Sequence, residues 1–103
     1  MVYKEDELIR RIEYNENGQI EYDGEYKNNK RNGIGKLYQN GRLIYHGELK
    51  NGKRNGKGKE FYAAYGNLKY VGEFLNDKRH GKGKEYKYGK VVFDGEYYKG
   101  ERI

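Results

Sequence analysis

The sequence predicts an all-β chain, an antiparallel meander of short strands, on three observations. Thirteen tyrosines and 16 glycines occur with no proline, a composition suited to regular strands joined by tight turns. Three segments align without gaps: GEYKNNKRNGIG (Gly24 to Gly35), GELKNGKRNGKG (Gly47 to Gly58) and GEFLNDKRHGKG (Gly72 to Gly83). Self-similarity of this kind marks a repeat architecture. No segment of useful length carries the helical period, and residues 3 to 12 offer one or two helical turns at most.

The repeating unit defines the elements. A fourth copy begins as GEYYKGERI at Gly95, and an aromatic residue stands two positions before each copy, at Tyr22, Tyr45, Tyr70 and Phe93. The period is therefore 23, then 25, then 23 residues, the two extra residues falling in FYAAYG, Phe61 to Gly66, as a loop insertion. Asn28-Asn29, Asn51-Gly52 and Asn76-Asp77 split each unit into two strand-like runs. Such pairs tolerate the left-handed backbone of a two-residue hairpin turn. A second set of turns is expected at Asn17-Gly18, Asn40-Gly41, Tyr65-Gly66 and Tyr88-Gly89, which gives seven or eight strands.

Counting outward from two-residue turns sets a register. Tyr22, Tyr45 and Tyr70 are expected opposite Gly35, Gly58 and Gly83, a ring across from a glycine in every unit. Tyr26, Leu49 and Phe74 then face Arg31, Arg54 and Arg79, where a ring or an aliphatic stem packs on guanidinium. The other face carries Glu25, Glu48 and Glu73 opposite Asn32, Asn55 and His80, each carboxylate expected near the Lys-Arg pair of its own turn. Alternate residues point the same way along a strand. Lys36 and Tyr38, Lys57, Lys59 and Phe61, and Lys82, Lys84 and Tyr86 would thus stack into a ladder of lysines interleaved with aromatics, the candidate binding site. The bland alternative is cross-strand packing of the rings, with the lysines keeping a thin sheet soluble and its edges unpaired.

Composition restricts the function classes. Only 34% of the 103 residues are apolar and 37% are charged, so a conventional core is lacking, yet the aromatics argue against disorder. Residues 1 to 26 hold 3 basic and 8 acidic side chains, net −5, and residues 27 to 103 hold 19 and 8, net +11. An acidic cap precedes a basic body suited to an anionic partner, whether a protein face, a membrane surface or nucleic acid. Without cysteine there is no disulfide framework or thiol nucleophile, which favours a reducing, cytoplasmic setting. No apolar run is long enough for a signal peptide or a spanning helix.

No catalytic, cofactor or metal constellation is expected. His46 stands where other units carry Asp23, Val71 and Asp94, and His80 where they carry Asn32 and Asn55, so neither has the fixity of a ligand or base. Glu25, Glu48, Glu73 and Glu96 recur once per unit, which suits a structural role. Pairs such as Gly56-x-Gly58 precede strands and not helices, against a phosphate loop.

The unit Tyr-x-Gly-Glu-aromatic-Lys-Asn-Gly-Lys-Arg-His/Asn-Gly-x-Gly resembles the MORN motif (membrane occupation and recognition nexus), and the resemblance covers residues 22 to 100. It uses tyrosine and phenylalanine where many members carry tryptophan. It implies an elongated, single-layer, twisted sheet of tandem β-hairpins, with units starting near residues 22, 45, 70 and 93 of an array that runs from 22 to 103. Residues 1 to 21 would form the acidic cap, with Ile12 to Tyr22 a degenerate first hairpin. MORN arrays accompany junctional membrane proteins, lipid kinases, lysine methyltransferases, cytoskeletal scaffolds and small bacterial antitoxin-like proteins. The resemblance therefore implies a non-enzymatic interaction module, for a protein partner first and for anionic phospholipid or nucleic acid as alternatives. Its roles would be those of an adaptor, an antitoxin or immunity protein, or an enzyme inhibitor. Open sheet edges would also allow a homodimer.

Overall fold

The computed structural model describes residues 8–103. They form nine strands, β1 (Ile9–Tyr14), β2 (Ile20–Lys27), β3 (Lys30–Gln39), β4 (Arg42–Lys50), β5 (Lys53–Phe61), β6 (Leu68–Leu75), β7 (Lys78–Lys87), β8 (Lys90–Tyr98) and β9 (Glu101–Arg102). All are antiparallel neighbours in one sheet, in chain order. The extents of 52 × 31 × 16 Å are those of an elongated single layer. Two strands exceed the lower expected count because the N-terminal segment supplies a full strand and the last hairpin closes on β9. Ile9 to Ile12 are strand and not helix, their backbone groups paired with β2. Residues 3 to 7, the rest of the expected helical turns, lie outside the described residues. The boundary between cap and array at residue 22 falls inside β2, so both share one sheet.

The turns follow from their residues. Asn28, Asn29, Asn51, Asn76 and Asp77 all take positive φ, between 48° and 70°, the conformation a tight hairpin between right-twisted strands requires. The turns at Asn51-Gly52, Asn76-Asp77 and Lys99-Gly100 dock on the preceding unit. Gly52, Asp77 and Gly100 donate backbone N–H bonds to the carbonyls of Arg31, Arg54 and Arg79 at 2.8–2.9 Å. Beside them the N–H groups of Asn51, Asn76 and Lys99 donate to Asn32 Oδ1, Asn55 Oδ1 and His80 Nδ1.

The register departs from outward counting at one point in each unit. Tyr26 pairs with Arg31 as expected, but Gly24 pairs with Gly35 and Tyr22 with Leu37. Tyr45 and Tyr70 likewise pair with Glu60 and Glu85. Between the first two pairs, Asn32, Gly33 and Ile34 oppose Glu25 alone, a bulge that glycine permits at φ +87°. The Glu25 carboxylate accepts the N–H that the bulge frees, Ile34 N to Oε1 at 2.7 Å. Glu48 and Glu73 do the same for Lys57 and Lys82 at 2.6 and 2.8 Å. These carboxylates thus cap a bulge and do not serve the Lys-Arg pair of their own turn.

The bulge aligns seven glycines, one per strand from β2 to β8: Gly24, Gly35, Gly47, Gly58, Gly72, Gly83 and Gly95. The tyrosine rings lie on this bare strip, reaching their glycines diagonally. A Cβ on Gly35, Gly58 or Gly83 would stand 2.5, 2.3 or 2.3 Å from the hydroxyl oxygen of Tyr22, Tyr45 or Tyr70. Those hydroxyls donate to the carbonyls of Glu25, Glu48 and Glu73 at 2.8–2.9 Å. Guanidinium groups cover the rings: Arg31 lies 4.6 Å from the Tyr22 centroid, Arg79 4.5 Å from Tyr70 and Arg54 5.1 Å from Phe74. Tyr22, Tyr45 and Tyr70 are fully buried without a second layer of structure. The core is one ring thick.

Candidate binding face

The aromatic side of the sheet is closed by its own side chains. Edge-to-face contacts link Tyr45, Phe74, Tyr70, Tyr97 and Phe93 at 5.2–5.4 Å. Over them runs a chain of ion pairs, Arg54 to Glu60 at 3.5 Å, Glu60 to Arg79 at 2.8 Å, Arg79 to Glu85 at 3.3 Å and Glu85 to Arg102 at 2.9 Å. Arg31 pairs with Glu13 of β1, and Tyr26 donates its hydroxyl to the same carboxylate. Unit one carries Leu37 where the next two carry Glu60 and Glu85, which opens a hollow of about 500 Å³ bordered by Leu37, Ile44, Tyr45, Arg54 and Phe61.

Among the described residues nothing covers the opposite side. Strand alternation and the register place Asp23, Lys36, His46, Lys59, Val71, Lys84 and Asp94 in one row across seven strands. The row beside it holds Ile34, Glu48, Lys57, Glu73, Lys82 and Glu96. The outer ends of the first row are paired, Asp23 with Arg10 at 3.0 Å and Asp94 with Lys84 at 3.9 Å. Among the described residues Lys36, Lys57, Lys59 and Lys82 make no ion pair within 4.0 Å. His46 sits between Lys36 and Lys59, and burial together with those two charges lowers its pKa. Ile34, His46, Val71 and the stems of Lys57, Lys59 and Lys82 border a shallow hollow of about 680 Å³ floored by Gly47, Gly58 and Gly72.

Of the expected ladder, the lysines are brought together: Lys36, Lys59 and Lys84 in one row, Lys57 and Lys82 in the next. The aromatics stand farther along the same strands. Tyr38, Phe61 and Tyr86 each follow a register shift, pairing with Leu43, Leu68 and Val91. None of the three borders the hollow of the lysine face, and Phe61 borders the one on the aromatic side. The apolar members of the open face, Ile34 and Val71, were missed because they look like lapses from a lysine pattern. Their signal was that they interrupt it at positions sharing one face.

No group of three or more potential metal-ligating side chains occurs among the described residues. The two histidines are placed by packing and turn docking.

Fold and face define a repeat protein whose hairpins share one ring-thick core and leave one side of the sheet open. The family model for the MORN repeat matches residues 22–41, 45–66 and 70–89, more than half of the chain, and the protein belongs to the MORN-repeat family. MORN repeats serve generally as modules for protein or membrane-lipid interaction. No curated protein matches the chain.

Proposed function

We propose that this protein is a non-enzymatic interaction module that binds a partner protein through the open lysine face. The observation that supports this reading is the asymmetry of the sheet: buried rings under a chain of ion pairs occupy one side, while the other presents four lysines that make no ion pair among the described residues, around Ile34 and Val71. An acidic protein surface with apolar side chains at its centre matches that face in charge and in chemistry. Adaptors, antitoxin or immunity proteins and enzyme inhibitors all act by occupying a partner's surface in this way. The absence of cysteine fits a cytoplasmic site of action.

Affinity capture from the native host at low and high salt tests the reading, with the triple variant Lys36→Glu, Lys59→Glu, Lys84→Glu run beside the unaltered protein. One stoichiometric protein, held at high salt by its apolar contacts and lost in the variant, is the expected result. Recovery of nucleic acid or anionic lipid alone, washed off as salt screens the lysines, would overturn it.

A further inference from the structure

The loop insertion of the second unit and the Tyr88-Gly89 turn of the third meet at the edge of the sheet opposite the docked turns. Tyr62, Tyr65, Asn67, Lys87 and Tyr88 enclose a cleft of about 260 Å³ there. The insertion is held in shape. Arg42 donates to the carbonyls of Ala63 and Ala64 at 3.2 and 2.8 Å, the Tyr62 hydroxyl donates to the Tyr86 carbonyl at 3.0 Å, and Gly66 N–H closes on the Tyr62 carbonyl at 2.7 Å.

Two features of this cleft oppose stability, and a third supplies charge. Tyr65 and Tyr88 are 81% and 90% exposed in a chain that buries its repeat tyrosines. Tyr88 takes φ +52°, the only ring-bearing residue at positive φ among the described residues, where the corresponding turn of the first unit uses Asn40. Lys87 and Lys90 stand directly opposite each other across the turn, as Lys27 and Lys30 and Lys50 and Lys53 do at other hairpins, and set two positive charges beside the cleft. Exposed rings, one of them on a backbone position that costs free energy, point to a ligand.

We propose that this cleft is a second docking site, distinct from the open face, for an acidic peptide segment of a partner protein. An aliphatic side chain of the segment enters between Tyr65 and Tyr88, and flanking carboxylates meet Lys87 and Lys90. Rigid tyrosines around a small cavity are the usual form of such an anchor point. Single-stranded nucleic acid stacks on tyrosine too, but it needs lysines along successive phosphates, and here both lysines flank one turn.

The test is a titration of the isotope-labelled full chain, followed by backbone amide NMR. The probes are an acetylated hexapeptide of aspartate and glutamate with one central leucine, the same peptide with glycine for leucine, and hexauridylate. Expected are shifts confined to residues 62–67 and 87–90, and binding of the leucine peptide about tenfold tighter than of the glycine peptide. Tyr88→Asn restores the turn chemistry of Asn40-Gly41, so it raises the thermal midpoint while weakening the peptide about tenfold. Tyr65→Ser weakens it without altering the turn, and Lys59→Glu leaves it unchanged, which separates this site from the open face. Equal affinity in Tyr88→Asn, shifts centred on Lys36 and Lys59, tighter binding of hexauridylate, or no saturation at about 1 mM peptide would each overturn the proposal.

Discussion

Tyr70 and Val71 are neighbours in one strand, and they face opposite sides of one sheet. Tyr70 is fully buried between the glycine strip and the Arg79 guanidinium, in edge contact with Phe74 and Tyr97. Val71 lies in the open row between Lys59 and Lys84. A single-layer sheet has no second layer to bury against, so this one makes a core from rings laid flat on its own glycines. The side bearing Val71 keeps the glutamates that cap the bulges but buries no ring, and that is why the binding reading falls there.

The largest expected effect breaks this comparison most directly. Tyr70→Ala removes a buried ring, its edge contacts, its cation contact and the bond to Glu73, a loss of about 4 kcal/mol. That is enough to unfold much of so small a domain. Val71→Ala should cost under about 1 kcal/mol. Urea denaturation of the two variants checks the pair. Similar midpoints would mean that the two faces share the stabilising load and that the open face is not free.

The next effect sharpens the comparison through pH, because the closed face holds the shifted groups. The hydrogen bond from Arg102, with help from Tyr97 and Arg79 against the effect of burial, pulls Glu85 down to about 2 from 4.5. Its contribution is fully present above pH 4.5 and is lost as pH falls towards 2, on the order of 2 kcal/mol. Burial raises Tyr22, Tyr70 and Tyr97 from 10.0 to about 12, and moves Tyr45 in the same direction. These groups stabilise the fold while protonated, so stability declines as pH rises from 10 towards 12. The urea midpoint should therefore form a plateau between about pH 5 and pH 10. The alkaline limb should coincide with cooperative appearance of tyrosinate absorbance. An acid limb unchanged in Glu85→Gln would show that the ion-pair chain over the rings contributes nothing.

The two faces were not equally legible in the sequence. Turns are local, and Asn-Gly pairs, Tyr26 opposite Arg31 and Phe74 opposite Arg79 follow from spacing alone, whereas the guanidinium groups of Arg31 and Arg79 lie over Tyr22 and Tyr70 and not over the rings they face. The bulge is not local in that sense. Outward counting assumes equal numbers of residues on both strands, and Gly33, Gly56 and Gly81 break that equality by adopting positive φ. The first glycine of each Gly-x-Gly and the glutamate before it were visible, but the bond from the N–H that follows the glycine to that glutamate appears only once the strands are paired. The same limit hid the open face: Lys36 and Lys59 were visible as lysines, while their placement on either side of His46 came from the register. The cleft at Tyr65 and Tyr88 joins segments more than 20 residues apart, and nothing in the repeat pattern announces it.

The smallest effect concerns His80, where sequence reasoning weighed and set aside a chemical role. Its Nδ1 accepts the Lys99 N–H at 3.3 Å, the place that Asn32 and Asn55 fill for Asn51 and Asn76 at 3.0 and 3.3 Å. Asparagine offers the same acceptor, so His80→Asn should change the urea midpoint by no more than about 0.5 kcal/mol equivalent. His80→Leu keeps bulk against Tyr98, whose ring lies 5.4 Å away, but removes the acceptor, and should cost about 1 kcal/mol. Equal midpoints for the two variants would show that packing on Tyr98 and not turn docking fixes this position. The inter-unit bond at this last hairpin would then be that of the Gly100 N–H to the Arg79 carbonyl, beside the Arg102–Glu85 ion pair.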